Sequence, residues 1–168
     1  MTHSHKLAGA NFGVAIASFG VAAVLGLIQA MTIAGIELPG VDSDLFYMLV
    51  TAHGVLMALV FTTFFIMGLG YLVTKEQLGF LVGEKTGWFA FWLALVGTIG
   101  TAVVILAGKA TVLYTFYPPL EAHPIFYIGA TLLIVGCLLY TSPSPRDMIP
   151  DLVCRLLLVK GGGGGGGG

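Results

Sequence analysis

The sequence predicts an all-α membrane protein, a transmembrane helical bundle with three full spans and a truncated fourth. Composition is the first reason, because only 9% of the 168 residues are charged while 57% are hydrophobic, and the mean hydropathy is +0.99. Soluble domains carry about 25% charged residues, so a lipid bilayer suits this chain better than water does. The second reason is that the few charges are separated by long apolar stretches. A formal net charge of −1, with no basic run, excludes nucleic acid as a partner.

Each predicted span corresponds to one uncharged stretch. A helix needs about 20 apolar residues to cross the hydrocarbon core, and a helix satisfies its own backbone hydrogen bonds in lipid. Residues 7–36, 45–74 and 86–108 contain no charged side chain, and another uncharged stretch follows Glu121. The sequence therefore predicts spans at residues 10–34, 46–73, 87–107 and 124–136.

Lysine positions predict the orientation of these spans. Lys6 precedes the first span, and Lys75 and Lys85 lie in the second loop, whereas the first loop is acidic. Because positive charge favours the cytoplasmic side, we expect a multi-pass plasma-membrane protein with a cytoplasmic N-terminus. Lys109, in the third loop, counts against this orientation by one charge. The start MTHSHK, with no small-residue cleavage site after a short core, does not predict a removable signal peptide.

Small residues recur in the first span at intervals of four. Gly9 with Gly13, and Ala22 with Gly26, form pairs of small residues at a spacing that lets membrane helices approach closely. Small residues are also common in any membrane helix, and ordinary composition is the alternative explanation.

Residues 137–168 do not fit what precedes them. Pro143, Pro145 and Pro150 would break a fourth helix within the membrane. The string CLLYTSPSPRD resembles one reading frame of a transposon-type sequencing adapter, and GGG codons would give the terminal glycines. Our hypothesis is that residues 137–168 are a non-native, disordered tail. Residues 1–136 would then be native and form the N-terminal part of a longer protein. A genuine short tail with a flexible glycine linker is the alternative. Both cysteines, Cys137 and Cys154, lie in this tail, so they indicate no redox compartment.

His53 is the candidate functional residue. It follows Asp44 by about nine residues, which is roughly 13 Å along a helix and reaches the outer half of the membrane. Ionisable groups at such depth usually face the bundle interior and have a function. Three roles are open for this imidazole: a hydrogen bond to a neighbouring helix, a proton relay, or axial ligation of a haem iron. The other histidines have simpler interpretations, as a solvated terminus for His3 and His5 and an interfacial polar residue for His123.

The neighbours of His53 favour a flat apolar ligand. Gly54 leaves room beside the backbone. Apolar residues that follow His53 in the same helix predict an apolar wall beside it: Leu56, Met57, Val60, Phe61 and Phe64. The same residue types more often form plain bundle core.

Two stretches resemble haem-copper oxidase subunit I. TAHGVLMALVFTTFF, residues 51–65, resembles its second transmembrane helix, where a histidine before GVL binds the low-spin haem. ATVLYTFYPPL, residues 110–120, resembles the loop between helices three and four in the B-type (ba-type) branch. The resemblance extends over residues 8–136. On residue physics alone, the loop's YTFYPP segment is an ordered loop over the outer end of the bundle or an aromatic belt, without a catalytic role.

The resemblance implies the N-terminal part of a twelve-or-more-helix protein in a prokaryotic cell membrane. That family reduces dioxygen to water with electrons from cytochrome c or a similar donor and translocates protons. By the match, His53 is one axial ligand of the low-spin haem. The second axial histidine and the ligands of the high-spin haem and copper lie on later helices of the family, so we expect this chain alone to be inactive. The implied partners are membrane lipid, the rest of subunit I, oxidase subunit II and the donor cytochrome.

Two other functions remain as alternatives. One is a small multi-span membrane protein in which His53 serves proton or ion translocation. The other is a purely structural helical bundle. A haem spectrum with and without His53 separates the oxidase interpretation from both.

Overall fold

The computed structural model describes residues 3–36, 38–78, 84–113, 115–117 and 120–140. These residues form a helical bundle. Its α-helices are α1 (His3–Ile33), α2 (Ser43–Val55), α3 (Thr62–Leu78), α4 (Glu84–Leu106) and α5 (Pro124–Tyr140). A π-helical turn, Leu56–Phe61, joins α2 to α3 without a break.

Three of the described helices are long and apolar enough to cross a membrane, which confirms the prediction of three full spans. They are His5–Ile33, Ser43–Glu76 and Glu84–Leu106. The second consists of α2, the π-helical turn and α3 in one continuous rod. The helices extend a few residues beyond the predicted spans, mainly at their N-terminal ends, where polar residues continue each helix past its apolar stretch.

Local sequence signals determine where these helices begin and end. The carboxylate of Asp42 accepts the backbone N–H of Leu45 at 2.8 Å and caps the start of α2. Two glycines with positive φ, Gly35 (81°) and Gly108 (67°), follow α1 and α4. At each, the next residue donates its N–H five residues back, from Ile36 to Met31 and from Lys109 to Val104. These are Schellman endings, in which glycine adopts the left-handed backbone without a steric penalty.

Helices α4 and α5 pack backbone against backbone. A Cβ atom added at Gly97 would lie 2.5 Å from the carbonyl oxygen of Gly129, and one at Gly136 would lie 2.8 Å from the carbonyl oxygen of Ala90. Small residues at such positions drive close helix association in lipid, where the hydrophobic effect does not pull helices together. This pair of helices is therefore held by van der Waals contact between backbones.

In α1, only one of the two predicted small-residue pairs lies at a helix contact. Ala22 is fully buried, and Gly26 faces α2. Among the described residues, no atom lies within 4 Å of the position that a Cβ atom would take at Gly9 or Gly13. For Gly9 and Gly13 the described residues therefore favour the alternative, ordinary composition, because four-residue spacing does not reveal which face of a uniformly apolar helix meets a neighbour.

The described part of the segment between α4 and α5 folds back against α2. Ala110 pairs with Ala122, and the backbone N–H of His123 donates to the carbonyl oxygen of Lys109 at 3.0 Å. The backbone N–H of Leu113 donates to the hydroxyl of Thr51 at 3.1 Å. The described part of this segment is thus ordered against the bundle, although residues 114, 118 and 119 of YTFYPP lie outside the described residues.

Helix α5 continues past residue 136, where we expected the fourth span to stop. It is a regular helix through Cys137 to Tyr140, and the Tyr140 ring contacts Tyr71 of α3 with centroids 4.9 Å apart. The rest of the proposed tail, residues 141–168, lies outside the described residues.

Candidate functional site: a histidine between two helices

His53 lies half-buried near the end of α2, with its ring directed against α1. Its Nδ1 is 2.8 Å from the backbone carbonyl oxygen of Ala22. A carbonyl oxygen can only accept a hydrogen bond, so Nδ1 must carry the hydrogen and donate it. In the neutral imidazole, Nε2 then holds the free lone pair, and it has no hydrogen-bond partner among the described residues. This is the tautomer that a metal-binding histidine needs when Nε2 is the ligand atom.

Gly26, on α1, makes room for the imidazole. A Cβ atom at this position would lie 2.8 Å from His53 Cε1 and 3.1 Å from Nδ1. The ring therefore rests directly on the backbone of α1. Sequence reasoning placed the necessary space at Gly54 and did not connect Gly26 with His53. The signal was present in the small-residue pair formed by Ala22 and Gly26, but nothing in the sequence aligned that pair with His53.

The π-helical turn begins within one turn after His53 and changes which residues share its face. The backbone N–H of Leu56 still bonds to the Ala52 and His53 carbonyl oxygens, four and three residues back, so the π-helical pattern begins only after this bond. Because a π-helical turn bonds i to i+5, it contains more residues than an α-turn, and π-turns inside α-helices often occur at functional sites. Face assignments made with a constant period of 3.6 therefore fail beyond Leu56.

The predicted apolar wall around His53 is accordingly divided between two sides of the helix. Leu56 and Val60 line a separate cavity that His53 does not line. Phe64 is fully buried and contacts Phe91 of α4, with ring centroids 5.8 Å apart. Phe61 packs on Phe19 of α1, at 5.3 Å. Val60, Phe61 and Phe64 thus pack within the bundle, as the alternative of plain bundle core predicts, and do not form one continuous wall with Leu56 around His53.

The cavity lies between α1, α2 and α4 and has a volume of about 440 Å³. Three hydroxyl groups occur in its lining, but each donates to a carbonyl oxygen of its own helix: Ser18 to Ala15, Thr98 to Ala94, and Thr101 to Thr98. The cavity consequently offers almost no polar group, and none of the described residues that line it is a His, Cys, Asp or Glu.

His53 differs from the other histidines of the chain in its surroundings. His123 and His5 are exposed, and His123 Nδ1 accepts the backbone N–H of Ile125 at 3.3 Å, at the start of α5. The side chain of His3 lies outside the described residues. Among the described residues, no group of three or more His, Cys, Asp or Glu side chains could hold a metal ion together. A lone imidazole suits an iron whose other ligands come largely from a porphyrin, as in haem proteins.

Comparison with known proteins identifies the family. The profile described as Cytochrome C and Quinol oxidase polypeptide I matches residues 6–144, which is most of the chain. The chain belongs to this family. Cytochrome c oxidase subunit 1 of Thermus thermophilus is 35% identical to this chain over 124 residues. The aligned part is 69% of this chain and 22% of the Thermus protein.

A solved structure agrees in fold. The cryo-EM structure of a heme-copper terminal oxidase dimer superposes on this chain with a TM-score of 0.77 and a sequence identity of 31%. The superposition covers 91% of this chain and 26% of the oxidase chain. The predicted membership in haem-copper oxidase subunit I and the all-helical fold are thereby confirmed. The family match also includes residues 137–144, beyond the predicted end of the native sequence.

Proposed function

We propose that this chain forms the first part of the catalytic subunit of a terminal respiratory oxidase and supplies one axial ligand of its low-spin haem through His53. The observation that supports this most directly is the bond from His53 Nδ1 to the Ala22 carbonyl oxygen, because it leaves Nε2 free to bind iron. A low-spin haem, when bound, supplies one-electron transfer without an open coordination position.

The residues of this chain hold the ligand and set its orientation. Ala22 accepts the Nδ1 hydrogen at 2.8 Å, and the imidazole rests on Gly26, so the ring is restrained from rotating. A hydrogen-bonded imidazole is also a more basic ligand than a free one. The second axial histidine and the ligands of the high-spin haem and of copper are assigned to helices outside this chain, by the family resemblance.

The same hydrogen bond argues against a proton relay at His53. A relay needs groups on both sides of the imidazole that can take up and release a proton. The partner of Nδ1 is a backbone carbonyl oxygen, which accepts a hydrogen bond but does not pass a proton on. Hydrogen bonding to a neighbouring helix and haem ligation, by contrast, use different ring nitrogens and are compatible.

The complete oxidase would reduce dioxygen to water with electrons from cytochrome c and couple this to proton translocation. We place the chain in a prokaryotic plasma membrane with a cytoplasmic N-terminus, in contact with lipid, the rest of subunit I, oxidase subunit II and the donor cytochrome. In this orientation His53 lies in the outer half of the membrane, on the side from which an external donor delivers electrons.

Haem binding by the purified chain tests the role of His53. The 168-residue chain in detergent should bind haem weakly with a five-coordinate Soret spectrum, and its monomer should not oxidise reduced cytochrome c. His53→Ala should abolish the Soret band, whereas the matched variant His123→Ala, which removes an exposed histidine, should retain it.

Two results would contradict the proposal. One is a Soret band that survives His53→Ala at wild-type intensity. The other is a reversible six-coordinate low-spin spectrum from the monomeric fraction, because a monomer has only one histidine at this depth. Size-exclusion chromatography separates the monomer from any dimer in which two copies of His53 bind the same haem.

A further inference from the structure

We propose that α1 positions the haem ligand through two groups: the Ala22 carbonyl oxygen selects which nitrogen of His53 carries the hydrogen, and Gly26 keeps that carbonyl accessible. This inference rests on the proposed role of His53 and extends it to two residues of a different helix. Neither residue would contact the iron, so both are positioning residues.

The position of Gly26 relative to Ala22 explains why a glycine is needed. Within α1, the backbone N–H of residue 26 bonds to the carbonyl oxygen of residue 22, which still has a second lone pair. Side chains on a helix tilt toward its N-terminus, so a side chain at position 26 would cover the carbonyl of residue 22. Because Gly26 has no side chain, His53 Nδ1 reaches that carbonyl at 2.8 Å.

A methyl group at position 26 would displace the imidazole. The added Cβ would lie 2.8 Å from Cε1 and 3.1 Å from Nδ1, well inside ordinary contact distance. The ring must then move outward, and the hydrogen bond to Ala22 lengthens or breaks. Without that bond the neutral imidazole can carry its hydrogen on either nitrogen, and only one of the two forms leaves Nε2 free for a metal.

The decisive experiment compares Gly26→Ala with Gly20→Ala in the 168-residue chain. Gly20 lies in the same helix and is exposed, and no atom of the part of the chain that the structure describes lies within 4 Å of its added Cβ position. Both variants replace a glycine of α1 with alanine, and both therefore raise the helix propensity by the same amount. They differ only in contact with His53.

The first readout is the ¹⁵N chemical shift of the His53 ring nitrogens in the haem-free chain. The wild type and Gly20→Ala should show a protonated Nδ1 and an unprotonated Nε2, and Gly26→Ala should show a mixture of the two neutral forms. The second readout is haem affinity, which we expect Gly26→Ala to lower by about 10-fold or more, the usual effect when a metal-binding histidine loses the hydrogen-bond partner of its other nitrogen.

These readouts separate this inference from the proposed function. If haem does not bind to any variant but Gly26→Ala still mixes the two ring forms, His53 is positioned as described and is not a haem ligand. If Gly26→Ala keeps the wild-type ring form, the positioning role is wrong, whatever the haem affinity.

A measurement that leaves Gly26 unchanged covers the case in which Gly26→Ala fails to fold. The ¹³C chemical shift of the Ala22 carbonyl should change in His53→Ala, because this carbonyl loses the hydrogen bond from His53 Nδ1. The carbonyl shift of Ala17, an exposed residue of the same helix, should not change. An unchanged Ala22 carbonyl shift would overturn the proposal.

Discussion

Thr51 uses one hydroxyl group to connect two parts of the chain. Its Oγ1 donates to the Tyr47 carbonyl oxygen at 2.9 Å and accepts the backbone N–H of Leu113 at 3.1 Å, and the side chain is fully buried. The segment that follows α4 is thereby tied to α2, two residues before His53. Thr51→Val keeps the shape and removes the acceptor, which leaves the Leu113 N–H unsatisfied at a cost of about 1–3 kcal/mol.

Amide hydrogen exchange measures this loss at a single site. We expect the Leu113 amide to exchange about tenfold faster or more in Thr51→Val, because local opening of the segment becomes easier. Thr131→Val is the control, since that exposed hydroxyl donates only to the Tyr127 carbonyl of its own helix, at 2.8 Å. Unchanged exchange at Leu113 in Thr51→Val would mean that other contacts hold the segment.

The close contact between α4 and α5 requires glycine where the two backbones touch, as at Gly97. Gly97→Ala would place a Cβ atom 2.5 Å from the Gly129 carbonyl oxygen and 2.6 Å from the Leu133 nitrogen, both of them backbone atoms. Neither atom can move unless the helices separate, so we expect a loss of about 1–3 kcal/mol or more. Gly100→Ala, one turn further along α4, meets only the Gly129 Cα at 3.8 Å, an ordinary contact.

Thermal unfolding in detergent distinguishes these two alanine variants. Gly97→Ala should lower the midpoint of unfolding by several degrees, and Gly100→Ala should leave it unchanged or raise it slightly, because alanine favours helix more than glycine does. Equal midpoints for the two variants would show that α4 and α5 are not held by close backbone contact.

The number and approximate positions of the spanning helices were largely predictable from the sequence, whereas the side of each helix that contacts a neighbouring helix was not. Lipid imposes a length and an absence of charge on each span, and both are readable from the sequence, so the three full spans were confirmed. A helix in lipid is apolar on all sides, so hydrophobic periodicity does not indicate which face meets a neighbour. This is why the sequence left two explanations open for Gly9 and Gly13, and why it gave no sign of the π-helical turn at Leu56–Phe61 that shifts the faces of the second span.

The candidate site was predictable to the same partial extent. Membrane depth alone singled out His53, because an ionisable group needs a reason to lie there. Its partner, by contrast, is a backbone carbonyl oxygen at Ala22, and every residue has one. No residue type marks such a partner in a sequence, so Ala22 and Gly26 could be connected with His53 only in three dimensions.

At the scale of the whole molecule, the chain has more apolar surface than its own helices can cover. Large apolar side chains are exposed along α1 and α4, among them Ile16, Val24, Leu27, Trp92 and Val103. The chain spans 22% of the Thermus subunit and 26% of the solved oxidase chain. Lipid and further helices are the surroundings that such a surface requires, since large exposed apolar patches mark contact with a membrane or a partner.

The fourth helix gives the physical test of the proposed tail. The described part of α5, Pro124–Tyr140, has 17 residues, which is the lower end of the range of about 17–25 residues for a membrane span. Pro143 and Pro145 would interrupt any extension of this helix in the hydrocarbon. A native fourth span should therefore continue from Gly136 with several more apolar, helix-forming residues in place of the proline-containing segment.

We accordingly predict that the source genome encodes a different continuation. Amplifying the locus from source DNA and sequencing it across codon 136 should yield an apolar helical segment, followed by later helices that contain further histidines. The codons before this point are the internal control and should be recovered unchanged. If the genome instead carries the codons for TSPSPRD and the terminal glycines, the tail is native and the hypothesis of a non-native tail is wrong.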